Sequence, residues 1–458
     1  MTMDTQVQVA AEKIVERLRA AGYEAYFAGG CVRDLLLRLT PKDFDVATSA
    51  LPEVVLEMFP LTFAVGAHFG VVLVADEGTE GQEFVTEVAT FRHDGVYLDG
   101  RHPEQVRFSR SPHEDVQRRD FTINGMLLDP LRLKETGDLR GAVLDFVGGR
   151  ADLDAGLVRA IGDARRRFEE DKLRMLRAVR FAARLGYEIE PETEAAMREL
   201  ASGISQVSAE RVRDELTRML TQGHARRAFE LLDRTGLLKE VLPEIDRMHG
   251  VEQPPEFHPE GDVWIHTMLL LEKLEAGCPA TLAWGALLHD VGKPATFERA
   301  ADRIRFSGHV EVGMRIAEDI LRRLRFSSED AAQIVSLVEN HMRFGDVEKM
   351  KESTLKRFFR LSRFPEHLAL HRMDALSGYG ELRLYEFAKA RYEAMPEEQV
   401  RPPLLVTGRD LIEAGYRPGP EFKAMLHAAE DAQLEGRIAS TEEGLTLVRE
   451  RFGASSVL

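Results

Sequence analysis

Gly29-Gly30-Cys31-Val32-Arg33-Asp34, followed closely by Lys42-Asp43-Phe44-Asp45-Val46-Ala47-Thr48, decides how the first third of this protein is read. Ala25 to Ala28 is a short apolar run fit for a strand, and Val32 to Leu37 has helical character, so the glycine pair sits at a strand-to-helix junction. Backbone N–H groups free at such a junction, with the positive end of the helix dipole and Arg33, suit a triphosphate. No GxxxxGK(S/T) stretch occurs, which excludes a P-loop. With Phe44 to Ala47 on a strand, the period of two sends Asp43 and Asp45 to one face, where they can hold divalent metals between them. Phosphoryl transfer uses that arrangement, because hard oxygen ligands hold Mg²⁺ and two such ions steady the attacking and leaving oxygens together. Each motif alone reads equally well as a turn or a solvated loop. Their closeness points to a metal-dependent nucleotidyl-transfer centre.

The 458 residues are too many for one core and predict three or four domains. Charged residues at 30% and hydrophobic ones at 44% describe an ordinary soluble composition. No apolar run approaches the ~20 residues of a membrane span, and the N-terminal stretch reads as an amphipathic helix without a signal-peptide core. The cysteines Cys31 and Cys278 offer no disulfide framework, so a cytoplasmic setting is expected. A net charge of −16 argues against a general RNA-coating protein while permitting a nucleic-acid substrate gripped by local basic patches. Three such patches stand out: Arg159 to Arg180, Arg211 to Arg227, and Arg343 to Arg363. Any one of them is more often a solvated helix face. Nothing in the sequence sets an oligomeric state.

The first 150 residues mix strand and helix signals, with apolar runs at Val71 to Val74 and Phe84 to Thr90; beyond Gly149 the pattern is almost entirely helical. On the Phe84 strand Glu87 is the best placed third carboxylate for the metal pair. A polar segment with two glycines, about residues 92 to 103, reads as a mobile loop. In Arg118-Arg119-Asp120-Phe121-Thr122-Ile123-Asn124 the adjacent arginines suit a triphosphate, and Asp120 with Asn124 suits a ribose. The stretch Glu169 to Arg180 reads as one helix in which Asp171 and Arg174 are neighbours on a face that Arg177 continues. Asp accepts hydrogen bonds and Arg donates them. Cytosine and adenine each offer an amino donor beside a ring-nitrogen acceptor, whereas uracil and guanine present the opposite order. One Asp/Arg pair can therefore admit C and A while rejecting U and G, at roughly 1–3 kcal/mol per good paired contact. The plainer reading is an intrahelical salt bridge.

In this order and spacing GGCVRD (29–34), DFDVAT (43–48), RRDFTIN (118–124) and EEDKLRMLRAVRFAARLG (169–186) resemble the class II tRNA nucleotidyltransferases and bacterial poly(A) polymerases, over about residues 20 to 245. The resemblance implies metal ligation at Asp43 and Asp45, triphosphate contacts at Gly29, Gly30 and Arg33, ribose or phosphate contacts at Arg118, Arg119 and Asp120, and base selection at Asp171 and Arg174. Ser208 to Thr217 is similar to the family's following helix, which stabilises the neck. Cys31 and Gly125 stand where Ala is more usual. Members restricted to CC addition typically lack the loop after the third-carboxylate strand, which this protein keeps.

A second constellation lies further on. His266, His289-Asp290, His309, His341 and Asp374 follow the order of an HD-type metal phosphohydrolase. His289-Asp290 closes the helix-like run from Trp284, stopped by Gly292 and Pro294. Adjacent His and Asp can reach one divalent transition metal there. Some members of the resembled family carry such a domain with phosphatase or cyclic phosphodiesterase activity on RNA ends. The tail, with Val406 to Ile412, Arg417 to Pro420 and Leu434 to Arg437, is similar to the C-terminal helical region of tRNA-adding members.

The expected architecture is α+β: a nucleotidyltransferase head over 1–150 with a mixed sheet and helices, a helical neck over 151–245, an HD-type helical domain over 246–400 and a helical tail over 401–458. The expected activity is template-independent addition of C and A from CTP and ATP to the tRNA 3′ acceptor end, with Mg²⁺ at the head. A-specific addition and poly(A) synthesis are the alternatives within the family. From another class, the HD domain would be the principal enzyme.

Overall fold

In the computed structural model, which describes residues 3–63, 70–77, 83–94, 106–255, 259, 261–378 and 380–453, the protein divides into two compact units, Met1–Pro243 and Glu244–Leu458. The first unit holds the strands β1 (Ala25–Ala28), β2 (Asp45–Thr48), β3 (Thr62–Phe63), β4 (Val71–Glu77), β5 (Glu83–Thr90), β6 (Arg92–Asp94), β7 (Val106–Phe108), β8 (Met126–Leu128) and β9 (Val143–Asp145). Seven of them form one mixed sheet in the order β3-β4-β5-β2-β1-β8-β9, with β2 and β5 parallel and the other pairs antiparallel. The inner strand β1 is buried throughout, as its unbroken apolar run requires. On β5 alternation is explicit: Phe84, Thr86, Val88 and Thr90 are buried while Val85 and Glu87 lie on the more open face, where Glu87 keeps surface to solvent although its carboxyl is crowded by neighbouring residues.

The structure shifts three of the expected elements. β2 begins at Asp45 instead of Phe44, because its partner β1 ends with the pair Ala28–Asp45 and then turns away at Gly29, whose φ is +77°. Phe44 instead tucks its ring against Phe27, with centroids 5.1 Å apart. Arg92–Asp94, expected in a loop, pairs antiparallel with Val106–Phe108; the remainder of that segment, from residue 95, lies outside the described residues. The single helix expected over 169–180 is two, Ala164–Glu170 and Leu173–Leu185. Asp171 breaks them apart: its backbone is extended and its carboxylate accepts a hydrogen bond from the Leu173 N–H at 3.1 Å, in competition with the helix ladder.

After Gly149 the first unit is helical apart from two short strands. Leu173–Leu185 packs on Ala209–Thr221 and Ala225–Arg234, and Leu176, Val179, Leu216, Leu220 and Phe229 on these helices are fully buried. Each such side chain contributes roughly 1.5–3 kcal/mol of transfer free energy. A buried ion pair, Arg180 to Glu215 at 2.6 Å, joins the same helices.

The second unit is helical except for a small hairpin of Glu298–Arg299 with Ile304–Arg305. Val263–Leu271 and Ala280–Leu288 are almost wholly apolar and buried, which makes them central helices. Around them stand His309–Arg323, Ser328–Asn340 and Phe364–Ser377. In the tail Val406, Leu411, Tyr416, Met425 and Val448 form a core of their own. The third basic patch is largely spent internally: Arg357 and Arg360 bind Glu430, and Lys356 donates to the Leu434 carbonyl. No helix among the described residues is long and apolar enough to cross a membrane.

Candidate active site

Asp43, Asp45 and Glu87 converge at the centre of the sheet. The parallel register Val46–Val88 sets Asp45 beside Glu87, and Asp43 stands just before β2. Burial, then Glu87 and Asp43, push the Asp45 carboxyl up to about 7, against the pull of Arg119. Burial and Asp43 also raise Glu87. Carboxylates crowded until they repel one another in this way are the donor set a hard divalent cation neutralises.

Beside them is a cavity of about 490 Å³, lined by Gly29, Gly30, Arg33, Asp43, Asp45, Arg118, Arg119, Asp120, Asn124, Asp171, Arg174, Arg177 and Arg211. The structure thus gathers every nucleotide-site residue expected from the sequence into one wall. Gly29 is required there: besides its positive φ, a β-carbon would stand 3.3 Å from Arg119 Nη1 and 4.0 Å from Asp45 Oδ2.

The polar groups of this wall hold one another. Arg33 donates to Asp34 at 2.7 and 2.8 Å and to Asn124 Oδ1 at 2.6 Å. Asn124 donates to Asp120 Oδ1 at 3.1 Å, and Arg177 grips Asp120 Oδ2 at 2.6 and 2.9 Å. Burial opposes the charge on Asp120, but Arg177 and the donated hydrogen bonds prevail and bring its carboxyl down to about 2. Asp120 and Asn124, expected to meet a ribose, are therefore first the braces of two arginines. Arg118 and Arg119 are both clamped by the buried Asp115, at 2.7 Å to Oδ1 and 3.0 Å to Oδ2.

Asp171 and Arg174 do not form the salt bridge that the plainer sequence reading allows. Asp171 Oδ2 accepts from Arg211 Nη2 at 2.8 Å, while Arg174 donates to Glu170 at 2.8 Å and to the carbonyls of Arg167 and Arg118 at 3.0 and 3.1 Å. Each partner is fixed from outside the pair, and an acceptor and a donor both line the cavity. Asp115, Glu170 and Arg211 were missed from sequence. The spacing of Asp115 from Arg118 and Arg119, three and four residues, and that of Glu170 from Arg174, four residues, were the available local signals.

In the second unit the six residues of the histidine series come together as two triads, His266, His289 and Asp374, and Asp290, His309 and His341, the ligand atoms of each lying within 4.8 Å of one another. His289, His309 and His341 each set Nδ1 against a backbone carbonyl three residues earlier, at 2.8, 3.0 and 2.7 Å. A carbonyl only accepts, so the proton sits on Nδ1 and the Nε2 lone pair faces inward. Those three Nε2 atoms and Asp290 Oδ1 are buried and make no hydrogen bond among the described residues. Buried polar atoms left this way fit a metal ion. Burial brings His341 down to about 4, which keeps it the neutral ligand a metal needs. Lys293, also missed from sequence, reaches Asp290 at 2.7 Å and Gln253 at 2.6 Å.

Three family models match in succession: the poly A polymerase head domain over residues 25–159, the probable RNA and SrmB-binding site of polymerase A over 186–248, and the HD domain over 261–378. The CCA-adding enzyme of Geobacillus stearothermophilus is 44% identical over 224 residues, 49% of the present sequence and 52% of the relative, so that match spans about half the relative's length. The CCA-adding enzyme of Levilactobacillus brevis is 31% identical over 438 residues, 95% of the present sequence and 96% of the relative. Among solved structures, the Bacillus stearothermophilus CCA-adding enzyme in complex with CTP superposes with a TM-score of 0.72 at 27% identity, covering 99% of the present sequence and 98% of its own. With likeness that runs nearly end to end at this identity, the protein belongs to the CCA-adding enzyme family.

Proposed function

We propose that this protein adds C and A nucleotides from CTP and ATP to the 3′ end of tRNA without a nucleic-acid template, in the cytoplasm. The single observation that carries the reading is the joining of the Asp43/Asp45/Glu87 cluster to a cavity lined by an acceptor, Asp171, and a donor, Arg174. Gly29 and Gly30 let the triphosphate approach the backbone, and Arg119, Arg118 and Arg33 supply positive charge along it. Asp171 accepts from the exocyclic amine of cytosine or adenine and Arg174 donates to the neighbouring ring nitrogen. Arg177 holds Asp120 and closes the far wall. Mg²⁺ ions held by Asp43 and Asp45, with Glu87 beside them, would neutralise charge on the attacking and leaving oxygens. The division of labour is a head over 1–150, a base-selecting and tRNA-binding neck over 151–245, an HD-type domain over 246–400 and a tail over 401–458.

The test supplies three tRNA transcripts, ending at the discriminator base, at C, or at CC, with Mg²⁺ and with CTP and ATP separately and together. Three additions to the shortest transcript are expected. One A added only to the CC-ended transcript would instead mark an enzyme specific for the final A, and long A tails a poly(A) polymerase. A second reading rests on the inward-facing imidazoles: the HD site holds a divalent transition metal and hydrolyses phosphate esters at RNA ends. An empty centre by metal analysis, with RNA-end hydrolysis unchanged in His289→Ala, would refute it.

A further inference from the structure

The sheet face that carries Glu87 continues away from the nucleotide cavity as an apolar row. Phe63 on β3 pairs with Leu73 on β4, and Leu73 pairs with Glu87 on β5, so the three share one face with Asp45 next in line. Val85 lies two residues before Glu87 on the same face. Phe63 is 51% exposed and Val85 48%, whereas the alternate residues Val72, Val74, Phe84 and Val88 are buried. Leu73 between them is half-buried and Ala75, opposite Val85, is buried, so the row is open at Phe63 and Val85; an apolar row of this kind marks a binding surface more often than a scatter of single residues does.

The order of strands says what lies on each side. Gly29 follows β1 and the Arg118–Asn124 stretch precedes β8, so the cavity belongs to the β1–β8 side of the carboxylates. The apolar row belongs to the β5-β4-β3 side. In phosphoryl transfer the attacking and leaving oxygens lie roughly in line through phosphorus. With the triphosphate in the cavity, the attacking hydroxyl comes from the other side, over this row. A strand spacing of about 4.8 Å puts Leu73 about 5 Å and Phe63 about 10 Å from Glu87, within reach of the terminal bases.

We propose that Phe63, Leu73 and Val85 form a stacking platform for the unpaired bases at the RNA 3′ end; the inference rests on the nucleotidyl-transfer reading above. A growing 3′ end presents a different terminal base at each addition, so it must be held without reading base edges. Stacking on an apolar surface does that, since every base has a π-face.

The experiment compares the full-length wild type with Phe63→Ala, Phe63→Tyr and Val85→Ser in extension of a C-ended tRNA transcript, with a second transcript carrying 2-aminopurine at its 3′ terminus. Phe63→Ala is expected to raise the KM for tRNA about tenfold, the scale of one lost base stack, with the KM for CTP unchanged. Phe63→Tyr restores it, and the fluorescence quenching of bound 2-aminopurine is weakened only in Phe63→Ala and Val85→Ser. An unchanged tRNA KM and quenching, or an equal rise in the CTP KM, overturns the platform. If Phe63→Ala fails to fold, Val85→Ser carries the same two readouts. If the wild type extends no transcript, the nucleotidyl-transfer reading falls, while quenching of the bound RNA still decides the platform.

Discussion

Replacing Asp171 by alanine removes one acceptor from the cavity and leaves the donor beside it in place. In the folded protein Asp171 makes two contacts, Oδ1 from the Leu173 N–H at 3.1 Å and Oδ2 from Arg211 at 2.8 Å, and each oxygen keeps a lone pair for the base. UTP presents a carbonyl oxygen where CTP presents an amine, so in the wild type two acceptors meet without a proton between them. Alanine removes both the paired contact to C and the clash with U. The two changes act in the same direction on the ratio of kcat/KM for CTP over UTP, which is expected to fall by about 5- to 150-fold, corresponding to roughly 1–3 kcal/mol. Stability should fall only modestly: the lost cap on Leu173 costs about 1 kcal/mol, and Arg211, 24% exposed, can turn to water. Single-turnover incorporation of each nucleotide into one transcript gives the ratio, and thermal melting gives the stability. A ratio within about twofold of wild type in a folded, active variant would refute base reading by Asp171. Arg211→Ala should relax selection less, because it disorients the carboxylate without deleting it, and the double variant should fall short of the sum.

Asp45→Asn is expected to abolish nucleotide addition while the fold is kept, and without divalent metal at pH 8 it should melt above the wild type, since it removes a charge that burial and two neighbouring acids oppose. Lifted to about 7 from an ordinary 3.8, Asp45 holds a proton in the native state that the unfolded state has already released, so metal-free stability should fall as pH rises through that window. Added Mg²⁺ should reverse the slope, and pH-resolved melting curves with and without it are the check. Glu215→Ala should cost about 3–5 kcal/mol by chemical denaturation, because it strands Arg180 buried between Leu173–Leu185 and Ala209–Thr221, and the pair replaced together by apolar residues should cost much less. His289→Ala should lower the metal content of the protein purified with a transition metal without altering tRNA extension; equal content in both proteins would remove His289 from the ligand set.

What was legible in the sequence is what local geometry decides. Ala25–Ala28 reads as a strand because its apolar run is bounded by a glycine pair, and Asp45 and Glu87 read as site residues because each falls on an alternating strand. The histidine series is legible because its order alone limits the chemistry. The break at Asp171 is not, since residues 169 to 180 contain no glycine or proline, and it is the carboxylate itself that draws the Leu173 N–H out of the ladder. The contact from Arg211, forty residues on, depends on how one helix lies against another and leaves no local trace. The same holds for Arg357 and Arg360, which look like an RNA-facing patch until Glu430 arrives from the tail.

The distribution of satisfied and unsatisfied charge separates the groups that hold from the groups that react. In the wall of the cavity lined by Asp43 and Asp45, Arg118 and Arg119 answer to Asp115, Arg177 to Asp120 and Arg174 to Glu170, so the guanidinium groups are set before a ligand arrives. Little ordering then remains to be done when a nucleotide enters, which favours selection by shape and hydrogen bonding. Asp43, Asp45 and Glu87 are treated differently: they are crowded together with Arg119 as the nearest opposing charge on Asp45, and it is already shared with Asp115. In the second unit three imidazole nitrogens and one carboxylate oxygen are buried with no hydrogen-bond partner among the described residues. A folded protein tolerates such deficits where a cation offsets them. On that logic, raising Mg²⁺ should stabilise the first unit through Asp43 and Asp45, and a transition metal the second through its histidines. The two melting shifts should disappear independently in Asp45→Asn and His289→Ala.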